Sequence, residues 1–318
     1  MLTTPVVLIL FNRPDLTAET FAAIRKAQPL NLLVVGDGPR PQRHGEAELV
    51  RQTRQVVADG VDWECQVRTN YSEVNLGCGR RVSSGLAWAF EHHEEIIVLE
   101  DDCLPSSDFF RFCETMLERY RHDERVMHVG GTNVRVPKWT HDSAFFTRYP
   151  SIWGWASWRR AWKHYDFEMK EWPAFRDGGY LEMLAESEEE ARSWRRRFDA
   201  VHDGRNDTWD YQWTFACWRR RGLAAMPTHN LVTNLGFRED ATHTTSARPT
   251  TAMPTEALGP LNLPQFVVAD RRADRFIADY VFGGIASRGW LGRLRYWRWK
   301  HRVGRHGRAE RVPAAPKA

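Results

Sequence analysis

No run of about 18 apolar residues occurs in the 318-residue chain, which excludes a membrane-spanning helix from the reading. The opening MLTTPVVLILFNRPD has no basic leader region and no small-residue cleavage site, so its apolar run reads as a buried first strand and the expected location is the cytoplasm. Cysteine is scarce. Cys65, Cys78, Cys103, Cys113 and Cys217 are odd in number and lack CxxC spacing, which excludes a disulfide scaffold or a zinc ribbon and leaves core thiols. Internal repeats are absent too. What remains, with 42% apolar and 27% charged residues, is a globular chain long enough for one large domain or two halves sharing a core. Its charge is uneven: residues 271–318 hold 13 Lys and Arg against 3 Asp and Glu, so a body of net charge −6 carries a tail of +10.

The patterning is that of alternating strands and helices. PVVLILFN and LNLLVVGDGPR are apolar runs, and the segment between them, RPDLTAETFAAIRKAQP, sets Leu16, Thr20, Phe21 and Ile24 on one helical face. The pattern repeats as WECQVRTN, CGRRVSSGLAWAFEHH and EEIIVLEDD, then as the helix SDFFRFCETMLERYRHD and the strand VMHVGGTN. Such βαβ runs imply a mostly parallel central sheet with helices on both faces, whose ligands bind beyond the carboxyl ends of the strands. Asn12, Asp37, Asn70 and Glu100–Asp102 all fall at such ends. Beyond residue 135 the composition changes, with Trp153, Trp155, Trp158, Trp162 and Trp172 crowded into one segment of no simple periodicity.

Glu100, Asp101 and Asp102 directly follow the apolar Ile96–Leu99. Three adjacent carboxylates repel one another unless a cation lies among them, and a magnesium or manganese ion sharing oxygen ligands with a phosphate is the simplest such partner. Helix capping ahead of SDFFRFC is the plainer alternative for Asp101 or Asp102. Two glycines and two arginines in NLGCGRR open the next helix to the N-terminal side, where backbone amides suit anions and Arg80 or Arg81 could touch a diphosphate. In DTWDYQW, Asp210 lies among aromatic residues, an environment that raises a carboxyl pKa toward that of a general base. Its neighbour Asp207 reads as a helix cap.

On these residues the chain resembles nucleotide-diphospho-sugar glycosyltransferases of the GT-A fold, of the bacterial family-2-like kind. EDDCLPSSDFF is similar to their acidic DxD-type strand end, and the motif order over about residues 5–245 is similar to that of N-acetylglucosaminyltransferase I. The resemblance implies a metal-dependent, inverting transfer of a sugar from a nucleotide-sugar donor, a UDP-sugar being favoured, to a glycan or lipid-linked glycan hydroxyl. It implies that Asp102 holds Mn2+ or Mg2+, with His243 of the later NLGFREDATHT segment as a second ligand or phosphate contact. Asp101 and Glu100 then face the ribose or a phosphate, and Asp37 reads the nucleobase. Asn12 and Arg13 of FNRP line the base, with Arg13 in reach of a phosphate. Trp153, Gly154 and Trp155 are similar to the loop that closes over the donor and meets the acceptor, while the other tryptophans read as core. Asp210 is the base, although Tyr211 stands where N-acetylglucosaminyltransferase I has a second Asp. The expected halves are 1–135 for the donor and 136–270 for the acceptor, followed by the tail 271–318. Within that tail, residues 286–305 interleave Trp with Arg and suit the surface of an anionic membrane; nothing else in the chain supports a nucleic-acid partner. A sugar nucleotidyltransferase is the nearest alternative, weakened because FNRPDLTAET lacks its Gly-rich first loop; a non-catalytic sugar- or membrane-binding module on the same fold is the other.

Overall fold

A computed structural model describes residues 1–236 and 252–282. Strand β1 (Val6–Leu10) is buried along its whole length because it is central, paired in parallel with β2 (Asn31–Gly36) on one side and β4 (Glu95–Glu100) on the other. Its side chains alternate between two cores, Val7 and Ile9 into one and Val6, Leu8 and Leu10 into the other. The connecting helix α1 (Pro14–Ala27) starts on a proline, whose fixed φ suits a first helical turn, and buries Leu16, Thr17, Thr20, Phe21 and Ile24 against the second core.

The chain continues through α2 (Glu46–Gly60), β3 (Gln66–Tyr71) and α3 (Gly77–His92) into β4, then β5 (Cys103–Pro105), α4 (Ser107–Arg119), β6 (Val126–Gly130) and β7 (Ala144–Thr147). There follow β8 (Trp155–Trp158), four helices α5 (Arg159–Trp162), α6 (Trp172–Asp177), α7 (Tyr180–Leu184) and α8 (Glu188–His202), then α9 (Asp210–Arg219), β9 (Leu223–Pro227), β10 (Val232–Asn234) and α10 (Arg271–Tyr280). The main sheet has the order β3-β2-β1-β4-β8-β6-β9-β7. Its first four strands are parallel, β6 and β9 are parallel, and β8 runs antiparallel to both its neighbours. The expected mostly parallel α/β sheet with helices on both faces is therefore present, since α1, α2 and α4 contribute to one core and α3, α8 and α9 to the other.

Strand β8 carries residues from beyond 135 into the middle of the sheet, pairing Val98 with Trp155 and Val129 with Ala156. The tryptophan-rich segment is thus a core strand and its flanking helices. Trp155, Trp162, Trp209 and Trp213 form one aromatic stack, with ring centroids 5.2–6.2 Å apart. Helix α10, the first turns of the basic tail, buries Ala273, Ile277 and Ala278 in the same core. Among the described residues no helix is long and apolar enough to cross a membrane.

Candidate functional site

The carboxyl ends of β1, β2 and β4 lie along one edge of the sheet, and the parallel register brings the residues that follow them side by side. After Glu100 the chain turns through Asp101 and Asp102 into β5, which pairs antiparallel with β10 so that Cys103 faces Asn234. This small ladder sets Asp102 beside the 234–236 turn. A Cβ on Gly236 would lie 2.1 Å from Asp102 Oδ2 and 3.2 Å from Asn234 Oδ1, so glycine is what allows the turn to approach the carboxylate.

The cation among the acids is Arg13. Its guanidinium forks onto the Asp101 carboxylate, and its Nη1 lies 3.0 Å from Asp102 Oδ2. Asp101 is 2% exposed and fully engaged: its carboxylate also receives the backbone N–H of Phe11, and its carbonyl accepts from Thr20 Oγ1 at 2.9 Å. Asp102 keeps 15% of its side chain exposed. Burial disfavours the Arg13 charge, but the neighbouring Asp101 and Asp102 outweigh it and hold the guanidinium more firmly protonated than usual. Burial raises Glu100, and the charges of Asp102, Asp101 and Asp210 raise it further, so its protonated form is favoured.

Asp210 begins α9, with its carboxylate accepting from Thr208 Oγ1. Its charge reaches Glu100 and the Tyr165 hydroxyl, whose pKa burial already raises. The Cys78 thiol, raised first by burial, feels Glu100, Asp207, Asp210 and Asp37 in turn. These acids therefore surround one region, between the strand-end turn and the first turn of α9.

Several expected residues serve this region from beneath. Asp37 is buried, and its carboxylate accepts from the amides of Gly38, Leu76 and Gly77 and from the Asn75 side chain. That set of donors occupies the oxygens expected to read a nucleobase, and the carboxylate instead fixes the loop leading into α3. The next amides, of Cys78 and Gly79, donate to Asp207 at 3.0 and 2.9 Å. Asp207 thus caps α3 rather than its own helix, and the α3 amides expected to meet a diphosphate are held by two carboxylates of the chain itself. Arg81, the other arginine expected at a diphosphate, lies below the surface. It is 6% exposed and turned inward, donating to Asn70 Oδ1 at 2.7 Å, with room made by Gly85, where a Cβ would lie 3.0 Å from its Nη2. Arg80 is exposed, stacks 4.8 Å over Phe167 and pairs with Glu168 at 3.4 Å. Asn12 donates to Glu46 Oε1 at 3.0 Å, and Glu46 in turn holds Arg40, joining the β1 loop to the start of α2.

In the expected acceptor loop, Trp155 is fully buried, stacked on His128 and Trp209, which leaves no ring face for a sugar. Trp153 is half-buried, with its carbonyl accepting from Thr132 Oγ1 at 2.7 Å. Gly154 adopts φ +65°, and a Cβ there would lie 2.7 Å from Val232, a position that requires glycine. His243 lies outside the described residues, as do residues 286–305.

Asn234, Gly236 and the long-range cap by Asp207 are additions to the sequence reading. No local signal announces them, because each acts on a residue about 130 positions away. Among the described residues no three His, Cys, Asp or Glu side chains converge as a metal cage. Asn234 Oδ1 accepts the Gly236 amide at 2.8 Å, which leaves the Asp102 carboxylate beside Gly236 as the oxygen donor there that could share a hard cation with phosphates and water.

No family model matches the chain, and no curated protein matches it. Among solved structures it is similar to a mannosyltransferase from Pyrobaculum calidifontis in complex with GDP-Man and Mn2+, at 14% identity over 69% of this chain and 70% of that one, with a TM-score of 0.37. It is also similar to a UDP-glucose pyrophosphorylase complexed with UDP-glucose, at 10% identity over 71% of this chain and 90% of that one, with a TM-score of 0.35.

Proposed function

We propose that the chain is a GT-A glycosyltransferase that moves a sugar from a nucleotide-diphospho-sugar to an acceptor hydroxyl with inversion. The observation that supports this reading is that the Glu100–Asp102 turn ends a parallel strand and that Glu100 feels the charge of Asp210 at the start of α9. Inverting transfer needs two things in one place: charge neutralisation for a leaving diphosphate and a separate carboxylate to take the acceptor proton.

Asp210 takes that proton as the bond between the anomeric carbon and the donor phosphate breaks. Glu100 faces a ribose or phosphate oxygen of the donor. Asp102 would hold Mn2+ or Mg2+, which when bound would supply charge neutralisation for the leaving nucleoside diphosphate. Trp153 and Gly154 border the acceptor, a glycan or lipid-linked glycan. The tail of net charge +10 suits peripheral contact with anionic lipid on the cytoplasmic side.

The test is release of nucleoside diphosphate from uridine and guanosine sugar donors, with and without manganese. Wild type releases it only with the metal. Asp102→Ala shows no metal-dependent release. Asp210→Asn keeps the donor-induced rise in melting temperature while turnover falls about 10²–10⁴-fold. The reading is abandoned if no donor yields metal-dependent release and none shifts the melting temperature.

A further inference from the structure

The acid turn is neutralised from within. Arg13 sits at the N-cap position of α1 with Pro14 behind it, its carbonyl accepting from Thr17 N at 3.0 Å, so its backbone is pinned and the side chain alone spans to the turn. One part of the guanidinium grips Asp101, which is buried and committed; the other reaches Asp102 Oδ2 at 3.0 Å, the oxygen that also faces Gly236. The two acids therefore differ in kind. Asp101 is an anchor, and Asp102 is the exchangeable partner.

We propose that Arg13 is the resident counter-cation of this turn and gates metal entry: a divalent ion takes Asp102 only as the Arg13 guanidinium leaves it. The two cations cannot share one carboxylate oxygen without strong repulsion at this burial. The released end of Arg13, still anchored through Asp101, then points its donors at whatever anion accompanies the metal, which on the transferase reading is the donor's diphosphate. This inference rests on that reading for the anion but not for the competition. It couples metal and anion: each binds more tightly in the presence of the other, because each relieves part of the cost of opening the Arg13–Asp102 contact.

The test is titration of the free protein with Mn2+, read by the electron paramagnetic resonance of unbound manganese, with no nucleotide present. Arg13→Gln binds Mn2+ at least about ten-fold more tightly than wild type, as expected when a unit charge leaves the ligand oxygen. Asp102→Asn in the Arg13→Gln background removes that gain. Arg13→Lys, whose single ammonium cannot span both acids, shows a smaller gain in the same direction and serves as the readout if Arg13→Gln does not fold by circular dichroism. Unchanged or weaker Mn2+ binding in the folded variant overturns the proposal. A second arm adds UDP or GDP to wild type and expects the manganese affinity to rise. If that rise is missing while Arg13→Gln still gains ten-fold, the transferase reading falls and the gate stands.

Discussion

His128, at the centre of β6, is fully buried between Trp155 and Trp213 and offers a sharp test of how this core is wired. Its Nε2 lies 3.0 Å from the carbonyl of Ser151, an acceptor only; its Nδ1 lies 3.2 Å from Trp213 Nε1, a donor only. The one neutral tautomer that satisfies both carries its proton on Nε2. A second proton on Nδ1 would face the indole N–H, in a site from which water is excluded. Burial accordingly pushes the pKa down to about 3, against the small upward pull of Ser151. The unfolded chain titrates near 6.5. A folded pKa below the unfolded one gives stability that is complete above pH 6.5 and is lost as pH falls from 6.5 toward 3. From pH 7.5 to pH 5 the loss is about 2 kcal/mol, at about 1.36 kcal/mol per pH unit. Guanidinium unfolding of wild type and His128→Gln at the two pH values isolates this share, because other titrations cancel in the difference. The variant is less stable at pH 7.5, and the gap narrows by about 2 kcal/mol at pH 5. A gap that stays constant, or an imidazole NMR titration with a midpoint near 6.5, refutes the tautomer and the burial argument together.

Two further outcomes follow from close contacts at the site. Asp207→Ala removes the cap on Cys78 and Gly79 and lowers unfolding free energy by about 1–2 kcal/mol, with Asp207→Asn between it and wild type; urea denaturation that finds all three equal removes the cap from the account. Gly236→Ala drives a methyl group into Asp102 Oδ2 and lowers kcat/KM by about 10²-fold on the proposed donor, in a protein whose circular dichroism is unchanged. Full activity in that variant would show that Asp102 is not positioned by the 234–236 turn.

The sequence made the strand-end chemistry readable because the first four strands follow a local rule. Three of them, β1, β2 and β4, are short apolar runs with the ligand edge where each run stops, while β3 (Gln66–Tyr71) is a largely exposed edge strand placed by its position in the repeat. Asp101 and Asp102 could be placed this way, as could Asn12 and Asp37. The partner of the acids could not: Arg13 is 88 positions from Asp101, and FNRP looks the same whether its arginine faces a carboxylate or a phosphate. Residue type likewise hid burial. Arg81 seems a surface residue until Gly85 is seen to make room for it, and Trp155 is an aromatic in a glycine-flanked segment until β8 is seen to lie between β4 and β6. Antiparallel insertion of a four-residue strand leaves almost no periodic trace.

That insertion also sets the order in which the molecule can be made. The parallel strands β1 to β4 pair through local crossovers as they leave the ribosome, yet one flank of β4, with Ile96–Leu99 wholly apolar, has no partner before β8 exists. At about 5–20 residues per second, the roughly 55 residues from Glu100 to Trp155 take about 3–11 s to synthesise. Through that interval the nascent chain presents an unpaired hydrophobic strand edge, with Glu95 at its start and Asp102 just beyond its end as charges that would discourage another chain from adding to it.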